Sequence, residues 1–117
     1  MFGIGQSDPT GVSRELYQNV FNNVDRLCSA GKFEKAKELA TRFGNVQRDK
    51  YGSSHADVGR ACLLLTTIAI IEEDFVHAQQ CCDAALLNLQ NARGEDDPDY
   101  IAAAELEKAI QKALTEQ

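Results

Sequence analysis

The sequence repeats itself at a constant offset of 42 residues, and this period constrains the fold more than any other feature. The matched positions are glycines or apolar residues of similar size: Phe33 and Phe75, Ala36 and Ala78, Ala40 and Cys82, Gly52 and Gly94, Ala61 and Ala103, Leu64 and Leu106, and Ile68 and Ile110. A fixed period of this length is typical of stacked units that bury their apolar faces against one another. We therefore expect two structural repeats followed by a terminal element.

Apolar residues within each period follow the spacing of a helix. Leu16, Val20 and Val24 begin one such stripe, as one face of an amphipathic helix requires. The pattern predicts five helices, over roughly residues 10–29, 33–50, 55–72, 75–92 and 98–115. Short turns after the first and third helices predict antiparallel hairpins. Gly52 and Gly94 separate these hairpins, at positions that suit a left-handed backbone after a helix.

Polar residues at the expected helix starts predict specific caps. Ser54 followed by Asp57 resembles a capping box, in which each side chain accepts from a free backbone N–H. Asp74 is the expected N-cap of the fourth helix. Asp97 before Pro98 places an acceptor ahead of a residue with no N–H, at a position where none is needed.

Length, charge and cysteine content exclude several classes of protein. A chain of 117 residues has the size of one ordinary domain. Its net charge of −6 argues against nucleic-acid and anionic-membrane partners, whereas a basic partner is compatible with it. The most apolar stretch, residues 61–71, is far shorter than a membrane span. Four cysteines without a secretory signal indicate a reducing compartment, so we expect a cytoplasmic protein.

The sequence offers little support for catalysis or for a cofactor. His77 and Cys81 lie four apart on one predicted helix, but Cys81 is more simply explained as a residue at the core edge. The same pair is half of a zinc site, and no further Cys or His completes it. The acidic run at residues 95–99 lacks the spacing of a calcium loop and fits helix capping. We therefore expect no enzyme activity, no metal and no cofactor.

Two short segments resemble a known family. Residues 31–36 (GKFEKA) and 74–78 (DFVHA) resemble the second-helix opening of tetratricopeptide repeats. The long connections at residues 51–58 and 93–98 resemble the 42-residue variety of kinesin light chains. The resemblance implies a single domain over residues 1–117, folded as a short right-handed array of stacked hairpins. Its parts are repeat 1 at about 10–51, repeat 2 at about 52–93, and a capping helix at about 98–115.

The same resemblance implies a function. In that family the first helices of the repeats line a concave face that holds a peptide or a partner's surface. Carried over by position, the partner-binding residues are Gln18, Phe21, Asn22, Asp25, Arg60, Leu63, Thr67, Ile70 and Ile71. Arg60 is expected to donate to a partner carboxylate. The chain is thus interpreted as an adaptor or scaffold module.

A structural alternative starts from the same residues. Leu63, Ile70 and Ile71 also fit an ordinary core, covered by the N-terminal segment or by a second copy of the chain. The fifth helix carries the polar residues of a cap, whereas the N-terminal end has no evident cap and is a candidate for self-association. A homodimer with a closed apolar face is therefore the second hypothesis. The sequence names neither the partner nor the pathway.

Overall fold

A computed structural model describes residues 10–116, with side-chain surroundings from residue 14 onward. In that range the fold is all-α, with five helices and no strand. The helices are α1 (Thr10–Ser29), α2 (Phe33–Tyr51), α3 (Ala56–Ile71), α4 (Phe75–Arg93) and α5 (Pro98–Thr115). Every boundary lies within one residue of its predicted position, so the helical prediction is confirmed.

The helices stack in chain order, and α3 lies at the centre. Each helix packs against the next, which gives the hairpins α1–α2 and α3–α4 with α5 against α4. In addition, α3 contacts both α1 and α5, so it touches every other helix. The resulting body is elongated, with extents of 52 × 30 × 19 Å. Within residues 10–116, no helix combines the length and apolarity needed to cross a bilayer.

The residues matched by the 42-residue offset occupy equivalent surroundings in the core. Ala36 and Ala78 are both completely buried, and the same holds for Ile68 and Ile110. One cluster joins α1, α2 and α3, and two others join α3, α4 and α5. The repeat in the sequence is therefore a repeat in packing.

Two glycines inside helices allow the helices to approach closely. A Cβ atom at Gly44 would lie 2.7 Å from Cβ of Ala61, which explains a glycine in the middle of α2. A Cβ atom at Gly59 would overlap the side chain of Asn88 and lie 2.9 Å from Cγ of Leu89. Contacts this short do not occur between real side chains, so α3 packs on α2 and α4 through backbone at these points.

Most of the predicted helix ends are confirmed. Gly52 and Gly94 have φ angles of 99° and 93°, in the region that side chains rarely adopt. The Asp74 carboxylate accepts from the backbone N–H of His77 at 3.2 Å. The Asp97 carboxylate accepts from the backbone N–H of the residue after Pro98, at 2.9 Å.

The predicted capping box at the start of α3 is wrong. His55, not Ser54, is the N-cap, and its Nδ1 accepts from the backbone N–H of Asp57 at 3.0 Å. The Asp57 carboxylate is completely buried and binds other side chains instead. A carboxylate two residues into a helix is available for either role, and here the buried donors outcompete the backbone.

α1 and α5 carry polar residues at several positions that, 42 residues away in α3, hold apolar residues. Ala61, Leu64 and Ile68 of α3 pack towards α1 and α2, and the offset places exposed polar residues at the same positions of α1: Asn19, Asn22 and Arg26. On the other flank, Leu63, Ala69 and Ile70 pack towards α4 and α5, and the matching residues of α5 are Glu105, Gln111 and Lys112. Both end helices thus carry polar residues at positions where α3 is apolar, whereas Leu16 of α1 and Ile101 of α5 are exposed apolar residues.

Gly59→Ala should destabilise the protein by about 1–3 kcal/mol, because the new methyl group has no room beside Asn88 and Leu89. An exposed helical position, Thr41→Ala on α2, serves as the control and should leave stability nearly unchanged. Urea unfolding followed by circular dichroism measures both. Equal stability of the two variants would contradict the close packing at α3.

Candidate functional site

Arg60 lies inside the protein rather than on a binding face. Its side chain is 4% exposed. Nη1 donates to Oδ1 of Asp57, and Nε donates to Oδ2 of Asp99, both at 2.7 Å. Burial opposes the charged form, but the two hydrogen-bonded carboxylates outweigh it and raise the pKa of Arg60. The predicted role of Arg60 as a donor to a partner is corrected, because its charge is used within the chain.

The ion pairs of Arg60 belong to a wider network. Nε2 of Gln47 on α2 donates to Oδ2 of Asp57 at 2.9 Å. The guanidinium also lies over the ring of Tyr17 on α1, 5.7 Å from its centroid. Burial, followed by the charge of Asp99, raises the pKa of Tyr17 to about 12. The network therefore connects α1, α2, α3 and α5.

Two further predicted contact residues also turn inward. Leu63 is buried in the cluster that joins α3 to α4 and α5. Ile70 is half-buried against the neighbouring cluster around Ile110. The two residues belong to the core, as the structural alternative had it, but α4 and α5 of the same chain cover them, not the N-terminal segment or a second copy. The expectation that they lie on the open face is corrected for the same reason.

Four predicted residues come together at a cleft between α1 and α3. Phe21 and Asp25 of α1 face Thr67 and Ile71 of α3 across it. Phe21 is 42% exposed and Ile71 is 49% exposed, so both walls of the cleft present apolar surface to solvent. We call this set, together with Val24, Cys28 and Leu64, the α1–α3 cleft.

The α1–α3 cleft is small and mainly apolar. Its depression encloses about 30 Å³, far below the volume that a metabolite-sized ligand needs. Burial first, then the charges of Asp25 and Glu72, raise the pKa of the Cys28 thiol, which keeps it neutral. The cleft is therefore suited to contact with another surface and unsuited to enclosing a small molecule.

The remaining two predicted residues lie outside the cleft. Gln18 and Asn22 are exposed on α1, and Nε2 of Gln18 donates to Oδ1 of Asn22 at 3.1 Å. Both occupy the flank of α1 that ends the array. They are free to contact a partner, but the structure does not unite them with the residues of α3.

Sequence reasoning missed the floor of the cleft. Val24, Cys28 and Leu64 line it, but none of them was assigned to the binding face. Cys28 lies seven residues after Phe21, so both are on one face of α1. The helical spacing was sufficient to find Cys28, whereas Leu64 depended on knowing how α3 is rotated.

Other depressions lie on the described surface. One of about 430 Å³, between the start of α3 and the end of α4, is lined by residues that include Arg60 and Arg93, and the charge of Arg60 is engaged by Asp57 and Asp99. A depression of about 530 Å³ is lined by residues of α2 alone, and one helix cannot surround a ligand. Sγ of Cys81 lies 3.6 Å from Nε2 of His77, but burial raises the pKa of the Cys81 thiol and disfavours the nucleophilic thiolate. Among residues 10–116, no group of three or more His, Cys, Asp or Glu side chains is arranged to hold a metal ion.

Comparison with protein-family models, with curated proteins and with solved structures gave no match to this chain.

Arg60→Met should destabilise the protein by about 3–5 kcal/mol, because it leaves the buried carboxylate of Asp57 without its cation. The matched control is Arg93→Met, which removes the more exposed ion pair with Asp97 and should cost less than about 1 kcal/mol. Urea unfolding compares the two variants. Similar losses would show that burial of the Arg60 pairs is unimportant.

The raised pKa of Tyr17 should lower the free energy of unfolding at alkaline pH. Its folded pKa of about 12 exceeds the ordinary tyrosine pKa of 10.0, so the folded state retains the proton that the unfolded state loses. The free energy of unfolding should therefore decrease as the pH rises from 10 towards 12. Tyr17→Phe has no phenol to titrate, and its stability should fall less over this window. Urea unfolding at several alkaline pH values measures the free energy of unfolding of both proteins. An equal fall of this free energy with pH in the two proteins would contradict the prediction.

Proposed function

We propose that this protein is an interaction module that binds a peptide or protein partner at the α1–α3 cleft. One observation carries the proposal: Phe21 and Ile71 stay about half exposed on opposite walls of a cleft with a buried apolar floor. Exposed apolar residues that face one another are more typical of binding surfaces than of inert ones. Helices on both walls hold the residues in fixed positions, which favours binding with little reorganisation.

The resemblance of the sequence to tetratricopeptide repeats supports the same function. In that family, the face formed by the first helix of each repeat holds the partner, and α1 and α3 occupy the corresponding places in the chain. The hairpin order and the packing equivalence of Phe33 and Phe75, which both border the core, agree with such an array. From the same resemblance we propose that the array of hairpins is right-handed.

We also propose that the module binds without catalysis and works in the cytoplasm. The raised thiol pKa of Cys81 counts against a Cys–His nucleophile. All four cysteines are free in the structure, as expected for a reducing compartment.

Self-association through the same cleft is the second candidate, favoured by the exposure of Phe21 and Ile71. The polar residues on the flanks of α1 and α5 disfavour end-to-end stacking through those positions. Sedimentation velocity over a range of protein concentrations separates the two. A monomer throughout leaves the cleft available to a different partner.

Phe21→Ala and Ile71→Ala should each weaken partner binding about tenfold, the effect expected of a central apolar contact. Peptides selected from a random display library on the full chain provide the partners. Fluorescence anisotropy measures their affinities. Val76→Ala and Leu87→Ala remove side chains that are 64% and 63% exposed on α4, and they should have no effect.

The assignment of the cleft would be contradicted if the α4 variants weakened peptide binding, or if none of the four variants changed it. Circular dichroism of all four variants confirms that helicity is retained.

A further inference from the structure

The polar atoms that line the α1–α3 cleft are acceptors of hydrogen bonds. Oγ1 of Thr67 donates its proton to the carbonyl oxygen of Leu63 at 3.1 Å, so only its lone pairs remain for a ligand. The Asp25 carboxylate is exposed, and among residues 14–116 no side chain forms an ion pair or hydrogen bond with it. A ligand that fits these two groups must supply donors.

The charges around the cleft favour a cationic donor. Burial first, then the negative charges of Asp25 and Glu72, raise the pKa of the Cys28 thiol, so both carboxylates lie near the floor of the cleft. Lys37 forms ion pairs with Glu34 and Glu72, so the charge of Glu72 is already compensated. Nη1 of Arg26 donates to the neutral amide of Asn23 at 2.7 Å, and among residues 14–116 no ion pair joins Arg26 to Asp25. Asp25 is therefore the charge that a partner would neutralise.

An arginine side chain combines the required properties. Its guanidinium carries five donors and a fixed positive charge, and it stacks on aromatic rings such as the exposed Phe21. Its aliphatic stem covers apolar surface such as Ile71. The depression of about 30 Å³ admits only a group of about methyl size, so the stem would lie across the cleft.

We propose that the α1–α3 cleft recognises a peptide segment that presents an arginine next to an apolar side chain. The guanidinium pairs with Asp25 and stacks on Phe21, and the apolar neighbour contacts Ile71. This inference rests on the proposed function and narrows its partner to a basic, partly apolar segment. The chain's net charge of −6 favours the approach of such a segment over an acidic one.

The test uses capped Gly/Ser host peptides with a central Leu-Arg pair. Three matched peptides replace the arginine by citrulline, the arginine by glutamate, or the leucine by serine. Citrulline keeps the shape of arginine and removes its charge. Amide and methyl NMR shifts of the full chain should give the tightest binding for Leu-Arg, with changes centred on Phe21, Asp25 and Ile71.

Asp25→Asn should weaken binding of the Leu-Arg peptide about threefold, the effect of one exposed ion pair, and should leave the citrulline peptide unaffected. Glu38→Gln is the matched control, since it removes an exposed carboxylate of α2 that does not line the cleft. Added salt should reduce the arginine preference and leave the leucine contribution intact.

Equal affinity of the arginine and citrulline peptides, or an Asp25→Asn effect equal to that of Glu38→Gln, would overturn the arginine assignment. The proposed function would survive that result if library peptides still depended on Phe21 and Ile71. Cleft resonances that shift on concentrating the protein alone would identify a second copy as the occupant. Contacts from residues 1–9 to the cleft would identify that segment instead, and either result would overturn the proposal.

Discussion

The ion pairs of Arg60 hold together the centre of the molecule, and much of the helix arrangement depends on them. Asp57 and Asp99 lie 42 residues apart, at equivalent positions in the first turns of α3 and α5. Arg60 bridges the two, so one cation connects the starts of α3 and α5. The carboxylates also lie near the positive ends of their helices. With Gln47 and Tyr17, the network fixes how α1, α2 and α5 approach α3.

The helices were predictable because local signals and the repeat agree. Spacing, turn glycines and the Asp74 and Asp97 caps depend on residues close in the chain, and these were predicted to within one residue. The prediction of the α3 cap was wrong because the position of the Asp57 carboxylate depends on a residue distant in the chain. Gln47, from the preceding helix, draws the Asp57 carboxylate inward. Local patterns cannot include such competition.

The α1–α3 cleft was predicted only in part, for a similar reason. Helical spacing puts Phe21 and Asp25 on one face of α1, and both line the cleft, but spacing cannot give the rotation of α3 between four neighbours. Leu63 and Arg60 therefore lie inside, although they share the predicted face with Thr67. One signal was available: Asp57 and Arg60 are the only charged residues of α3, and they are spaced to pair with each other. Two isolated opposite charges in an otherwise apolar helix indicate a buried ion pair.

The polar flanks of α1 and α5 have a consequence for assembly. A stack of identical units whose two ends complement each other has no natural limit and grows as an open filament. In this chain the positions that would continue the stack carry Asn22 and Arg26 at one end, and Glu105 and Lys112 at the other. Apolar residues at these four positions would allow the two ends of neighbouring molecules to pack on each other. The present side chains give these positions a polar surface that disfavours head-to-tail growth through them, and Asn22 and Arg26 do not line the cleft between α1 and α3.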